Sequence, residues 1–345
     1  MAPSVIALLG VLIFAITLAP AYELGQASGR GTTVEAVAVI GSDYLTEKAV
    51  LAREFIRAHI PEELYVWLRA VVSDPVLYVF IPFIMLLEYL FPADVGFNRK
   101  WRIAGYLQDL IWFVMSVPII ILVYGFVGLQ LKEFYQDHLA FLTVDSASGW
   151  SFPVQFAVAL LLSELLVYST HLIRHKVHVF WIFHAVHHSQ KELNVFTDDR
   201  QHIVDRLIFL VLSFIPLLMF QVEVVVTLAM YMRMHSRLIH ANLRMDFGLL
   251  GYILASPQFH RVHHSKEPEH RDKNFGGILS LFDYVFGTAS KFRGVYPATG
   301  IEDRNFPTAD KYPLWQLPLN WIRQTLYPFA QISTSLWRVV AVRSR

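Results

Sequence analysis

Long uncharged stretches constrain this chain most, because a bilayer core takes about 20 consecutive apolar residues of helix and a soluble domain seldom offers several of them. Met1–Ala21 carries no charge, Pro75–Phe91 is broken only by Glu88, Leu110–Leu131 is uncharged, and Ser151–Thr170 holds one acid, Glu164. Leu207–Met232 runs for 26 residues, too many for one perpendicular span and too few for two generous ones. Pro216 and the polar Gln221 and Glu223 give it a place to turn. The pattern therefore predicts a helical hairpin, Ile203–Phe220 and Val222–His240, whose limbs barely cross. The expected fold is all-α, an integral membrane helical bundle. Composition agrees, since 17% of residues are charged against roughly 25% in soluble domains.

Met1–Ala21 reads as a signal peptide or an anchor: Ala19-Pro20-Ala21 is like a small-residue cleavage site, but the positively charged start is missing, which favours an uncleaved anchor. Three regions follow: 1–73, an anchor or signal-like helix with an extramembrane segment; 74–294, the membrane-embedded domain; and 295–345, an interfacial tail. In the tail, prolines 297, 307, 313 and 318 interrupt regular structure and Trp315, Trp321, Tyr327 and Trp337 suit the headgroup layer. Lysine and arginine concentrate in cytoplasmic loops. Residues 23–74 hold 5 of them against 8 acids and 132–150 hold 1 against 3, whereas Asn98-Arg99-Lys100-Trp101-Arg102 is basic and 241–345 holds 13 against 8. Alternating spans place 92–109, 171–206 and everything after His240 on the cytoplasmic side, of a bacterial inner membrane or an endoplasmic reticulum. Net charge is +1 with no basic block, so nucleic acid is not an expected partner.

There is no cysteine, which removes disulfides, thiolate metal sites and cysteine nucleophiles together. Of 15 histidines, 13 lie between His171 and His270. His171-Leu-Ile-Arg-His175 stacks two imidazoles on one helical face, and the same stripe takes in Glu164, Tyr168 and His178. In His184-Ala-Val-His187-His188 and His260-Arg-Val-His263-His264, positions i, i+3 and i+4 are expected to aim three rings at one place. Ser256-Pro257 reads as the N-cap and first residue of the helix carrying the last cluster. A lone histidine is usually surface or core, but three spaced clusters hold too many imidazoles for one ion, so two metals are expected. Imidazole suits iron, zinc, copper and nickel. No His-Glu-x-x-His glutamate base is present, and a site poor in carboxylate and facing lipid favours iron and dioxygen chemistry, with zinc left open by composition.

These three clusters, together with Arg200-Gln-His202-Ile-Val-Asp205, His240-Ala-Asn242 and Asn274-Phe-Gly-Gly-Ile-Leu-Ser-Leu-Phe-Asp283-Tyr-Val-Phe-Gly287-Thr288, resemble the fatty acid hydroxylase/sterol desaturase superfamily of integral-membrane di-iron oxygenases over about 155–290. The chain has Ile203 and Asp205 where the family pattern has proline and glutamate. The resemblance implies two Fe2+ ions, O2 as co-substrate, and hydroxylation or desaturation of a C–H bond in a fatty acyl, sterol or isoprenoid lipid. It also implies a separate electron donor: a cytochrome b5-like protein, a ferredoxin or a reductase. The expected metal ligands are His171, His175, His184, His187, His188, His240, His260, His263 and His264, with His202 and His235 as further candidates. His235 and His240 lie about 140° apart on a helix, which favours His240. Glu164, Asp198, Asp205 and Asn242 are candidates for orienting the ligands, as are Asp199 and Asp283, each with a structural role as alternative. His270 is expected to be solvated, and His59 and His138 structural. Substrate is expected to enter from the bilayer between the hairpin and the helix ending at His175. The rival readings are a di-zinc lipid hydrolase, using Asp198 or Asp205 as base, and a membrane metal transporter.

Overall fold

A computed structural model describes residues 79–94, 99–143, 149–213 and 222–343. The expected anchor, the 1–73 segment, His59 and the Pro216 turn of the hairpin lie outside the described residues. Residues from Ile84 onward form one compact unit. Among the described residues the regular elements are helices, with only isolated β-bridges between loops. The helices are α1 (Ile81–Leu90), α2 (Arg99–Phe134), α3 (Phe152–Lys176), α4 (His178–His188), α5 (Ile203–Ser213), α6 (Val222–His240), α7 (Pro257–His263), α8 (Leu281–Phe286) and α9 (Leu317–Arg343).

Local chemistry sets these limits. Ser151 precedes α3 with a proline in its first turn, and Arg174, His175 and Lys176 fill its last turn, where cations oppose the helix dipole. Val177 then turns extended (φ −96°, ψ 110°) and ends the helix. The stripe of Glu164, Tyr168, His171 and His175 therefore stops there, and His178 begins α4 instead of extending it. The side chain of Ser256 accepts from Phe259 N and caps α7 ahead of Pro257. Gly287 closes α8 in the left-handed region at φ 74°, a conformation that costs glycine no Cβ clash.

The hairpin limbs appear as α5 and α6, and the predicted Leu110–Leu131 span lies inside α2. α3 packs against α4, α5 and α6. Ala159 and Leu228 meet in a core shared with Phe156, Leu160 and Met232, and Ile239, Ala255 and Phe259 join α6 to α7. Residues 295–343 are integrated into the helical packing: α9 lies on α2 and α4, with Trp112 and Trp321 edge to face at 5.8 Å and Trp112 Nε1 donating to Gln324 Oε1 at 2.7 Å. Behind α4, buried Asp109 pairs with Arg200 at 2.9 Å and also accepts from Gln190, Asn194 and Thr197. Arg200 donates in turn to Ser189 Oγ and Val186 O, so this network fixes the C-terminal end of α4. Stripping one partner from such a buried pair costs about 3–5 kcal/mol.

One described helix, α3, is long and apolar enough to cross a membrane; Ile81–Leu90 and Ile103–Ser116 are shorter apolar helices.

Candidate metal centre

The ends of α3, α4 and α6 and the whole of α7 converge on two groups of histidines. His171, His175, His184, His188 and His263 form one, and His187, His240, His260 and His264 the other; within each group the ligating nitrogens lie within 4.8 Å of one another. Sequence spacing suggested that each three-histidine box aims at one place, and the structure divides the boxes instead. On a helix, i and i+4 lie about 40° apart while i+3 falls some 100° from i+4. Thus α4 sends His184 and His188 to the five-histidine group and His187 to the other, and α7 does the reverse, sending His260 and His264 to the four-histidine group and His263 to the five.

The rings are held from behind. His171 Nδ1 donates to Phe275 O at 2.8 Å and His263 Nδ1 to Lys273 O at 2.8 Å. His240 Nδ1 donates to Ser236 O at 2.7 Å, and His184 Nδ1 to Asp205 Oδ2 at 3.0 Å. Carbonyls and carboxylates only accept, so in these four rings Nδ1 carries the proton and Nε2 turns a lone pair inward. The Nε2 atoms of neighbouring rings stand between 2.9 Å (His260–His240) and 3.2 Å (His175–His188) apart. Lone pairs facing at that range repel unless a cation lies among them. Imidazole ligands at about 2.1 Å from one ion, set at right angles, have nitrogens ~3 Å apart. His171 Nε2 and His263 Nε2 are buried with no hydrogen-bond partner. The donor set thus fits two metal ions. Burial pushes His184 down to about 3, and burial together with neighbouring imidazoles holds His187, His188, His260, His263 and His264 well below the ordinary imidazole value. These rings are neutral, the form that ligates.

The other candidates stand apart from both groups. His202 accepts from Val204 N at the start of α5 and donates to Thr325 O; His235 donates to Ala255 O at 2.9 Å. His178 is exposed. His138 is exposed and its ring lies 4.9 Å from Phe134. His270, expected in solvent, is buried: Nδ1 meets Ser265 Oγ at 2.8 Å and the ring packs on Phe292, because the 268–270 turn folds back over the end of α7.

Among the acids, Asp205 is fully buried and reaches both His184 and Arg174 Nη1, the latter at 3.3 Å. Asp198 accepts from Ser236 Oγ at 2.5 Å and sits 3.7 Å from His240 Nδ1. Asp199 pairs with Arg237 at 2.7 Å. Glu164 touches no histidine; its Oε2 accepts from Ile278 N and Leu279 N. Asp283 accepts from Phe275 N and Gly276 N. Both brace the loop whose Phe275 carbonyl holds His171. Asn242 Oδ1 accepts from Asp94 N and Arg261 Nη1, not from a histidine. Sequence reasoning overlooked Arg174, Asp272, which lies 3.7 Å from His175 Nδ1, and the carbonyls of Lys273 and Phe275.

A cavity of about 460 Å³ reaches the five-histidine group at His175, His188 and His263. Trp181, Ile182, Ile301 and Phe306 form apolar wall, and Lys266, Arg271 and Asp303 stand among its polar residues. Its walls come from the last turn of α3 at His175, α4, the 263–272 and 300–306 segments and α9; α5 and α6 contribute none. Entry was expected between the hairpin and α3; of these elements only α3 borders this cavity.

Residues 156–288 match the family model of fatty acid hydroxylases. The chain is 31% identical to the alkylglycerol monooxygenase of Danio rerio over 162 residues, 47% of this chain and 35% of that protein. It is 32% identical to the ornithine lipid hydroxylase OlsE of Rhizobium tropici over 141 residues, 40% and 43% of the two. Against the alkylglycerol monooxygenase of Xenopus tropicalis it is 31% identical over 238 residues, 59% and 52%. The chain thus spans between about a third and a half of the length of these relatives. No solved structure gives a significant match. All nine clustered histidines fall inside the matched stretch, so both groups lie in the part of the chain, residues 156–288, that is similar to fatty acid hydroxylases.

Proposed function

We propose that this protein is a membrane-bound di-iron oxygenase that hydroxylates or desaturates a C–H bond of a lipid, drawing electrons from a separate donor protein. The observation that carries the proposal is the pair of all-histidine groups with inward-facing Nε2 atoms. His171, His175, His184, His188 and His263 would hold one ion, and His187, His240, His260 and His264 the other. Two irons so held supply, when bound, the activation of dioxygen and the oxidising power that an unactivated C–H bond demands. The chain's own part is to orient and to exclude. Asp205, Phe275 O, Lys273 O and Ser236 O fix ring tautomers, and such outer contacts govern metal affinity. The apolar side of the cavity, Trp181, Ile182, Ile301 and Phe306, would hold the reacting carbon beside His175, His188 and His263.

A lipid substrate is supported by the relatives, an alkylglycerol monooxygenase and an ornithine lipid hydroxylase. The reading places α3 across a membrane with the histidines at its cytoplasmic end. A hydrolase would need a free carboxylate base; Asp205 is engaged by Arg174 and His184, and Asp198 by Ser236. Metal analysis of anaerobically purified protein should give close to two irons per chain. Lipid extracts from expressing cells supplied with a reductase should contain a product one oxygen heavier, labelled by 18O2, or two hydrogens lighter. Product formed without air by protein carrying zinc alone would overturn the proposal.

A further inference from the structure

Between α6 and α9 the chain builds a lobe with an unusual surface. The 3-10 turn Gly248–Tyr252 and helix α8 lie side by side: Leu254 pairs with Leu279 in a β-bridge, Ser280 Oγ donates to Gly251 O at 3.0 Å, and the rings of Tyr252 and Tyr284 are 5.2 Å apart. The turn is thrown outward by Phe247 and Gly248, both in the left-handed region at φ 60° and 55°, a conformation that an aromatic residue adopts only under constraint. At the tip stand Leu249, Leu250, Ile253, Val285 and Phe286, between 51 and 85% exposed. Apolar residues grouped in this way mark a contact surface.

Beside the tip stands a belt of paired aromatic and basic side chains, one of which, Arg293, also donates to Gly248 O of the turn. The Arg293 guanidinium sits 4.2 Å over the Tyr252 ring, Arg244 4.8 Å over Tyr296, and Lys291 5.6 Å over Phe292. Such side chains bury an apolar body and keep a charged or polar end in the headgroup layer.

The root of the lobe is α3. The Phe286 ring stacks on Tyr168 at 5.2 Å, and Glu164 takes the amides of Ile278 and Leu279. Tyr168 is eight residues before the end of α3, about 12 Å along its axis. α3 is the helix long and apolar enough to span, and only 39% of its most apolar window is buried. The lobe thus packs on the Glu164–Tyr168 face of α3, while Leu161, Leu162 and Ile173 of that helix stay exposed. Backbone at membrane depth must find its partners inside the protein, and here it does: Phe275 N and Gly276 N on Asp283, Ala255 N on Ile278 O at 2.7 Å.

We infer that this lobe is a lipid-inserted wedge: its tip sinks among the acyl chains of the leaflet at which α3 ends, and its belt lies among the headgroups. The inference rests on reading α3 as a membrane span. The same loop carries Lys273 O and Phe275 O, which hold His263 and His171, so the wedge would set the metal centre at a fixed height above the lipid.

The absence of cysteine makes the test direct. Leu250→Cys, Phe286→Cys, Leu161→Cys on the exposed face of α3 and Glu269→Cys on the polar surface are each labelled with an environment-sensitive fluorophore. The full chain is reconstituted in phosphatidylcholine/phosphatidylglycerol nanodiscs with or without shallow spin-labelled lipid. The probes at 250 and 286 should be blue-shifted and quenched as strongly as that at 161, and the probe at 269 should not. Quenching at 161 with positions 250 and 286 behaving like 269 would overturn the wedge and leave the span standing. No quenching at 161 would remove the span, and the wedge with it.

Discussion

Replacing Asp205 by asparagine isolates the support of a single ligand. Asp205 is fully buried, accepts from His184 Nδ1 at 3.0 Å and pairs with Arg174 Nη1 at 3.3 Å. The carboxamide keeps one acceptor oxygen but loses the charge, so the His184 tautomer is no longer enforced. The Arg174 guanidinium, 3.5 Å from His184 Nδ1, is left unneutralised beside a cation site. Outer contacts of this kind are worth about 10–100-fold in metal affinity, about 1.4–2.7 kcal/mol. Because Asp205 touches no ring of the four-histidine group, the loss should fall on one ion of the two. Anaerobically loaded protein is titrated with a chelator and its retained iron measured. Wild-type protein should release two irons at high chelator, and Asp205→Asn should release one of them at about 10–100-fold lower chelator activity. Adding Arg174→Gln should recover thermal stability, since it removes the unpaired buried charge, without restoring that iron. An unchanged titration, or simultaneous loss of both ions, would refute the argument.

Four further outcomes are expected. His263→Ala and His264→Ala should each abolish turnover, but the first should weaken the five-histidine site and the second the four-histidine site, resolved by the same titration. His270→Ala should leave iron content unchanged while lowering stability by about 1 kcal/mol for the lost Ser265 hydrogen bond, read as a fall in melting temperature. Glu164→Ala orphans two buried amides at about 1–3 kcal/mol each, whereas Glu164→Gln, which keeps an acceptor oxygen, should lose much less in the same melt. In intact cells a membrane-impermeant thiol reagent should label Asp137→Cys and spare Glu269→Cys; labelling of both would break the one-sided placement of the histidines.

The nine clustered histidines were legible because helical periodicity brings i, i+3 and i+4 to one end of a helix, and three such ends had to serve the same centre. Their division into five and four was not legible. Whether the angle between i+3 and i+4 separates two rings into two groups depends on how α4 and α7 cross, which is a tertiary fact. His178 looked like a continuation of the α3 stripe because periodicity does not register the extended backbone of Val177. The carbonyl supports were hidden for a different reason: any residue has a carbonyl. The signal that could have found them is Asn274, which with Asp272 adopts the left-handed conformation at φ 60° and 57°. Asn274 Nδ2 donates to Phe259 O and its Oδ1 accepts from Ser290 N, locking the loop that presents Lys273 O and Phe275 O. His270 misled because four neighbouring charges suggested solvent, whereas the local turn buries it.

The exchange of one histidine between α4 and α7 also bears on how the chain is held together. No sulfur is available to tie distant segments, and the five-histidine group joins position 171 to position 263 while the other joins 187 to 264. Closed by the two proposed ions, these overlapping loops would restrict the unfolded chain much as cross-links do, by an entropy that grows only slowly with loop length. Each loop contains most of the other, so opening one tie leaves the second still spanning nearly the same stretch. With two ions bound as proposed, resistance to unfolding should therefore fall steeply only when the second leaves, so chelating both should lower the melting temperature far more than chelating one.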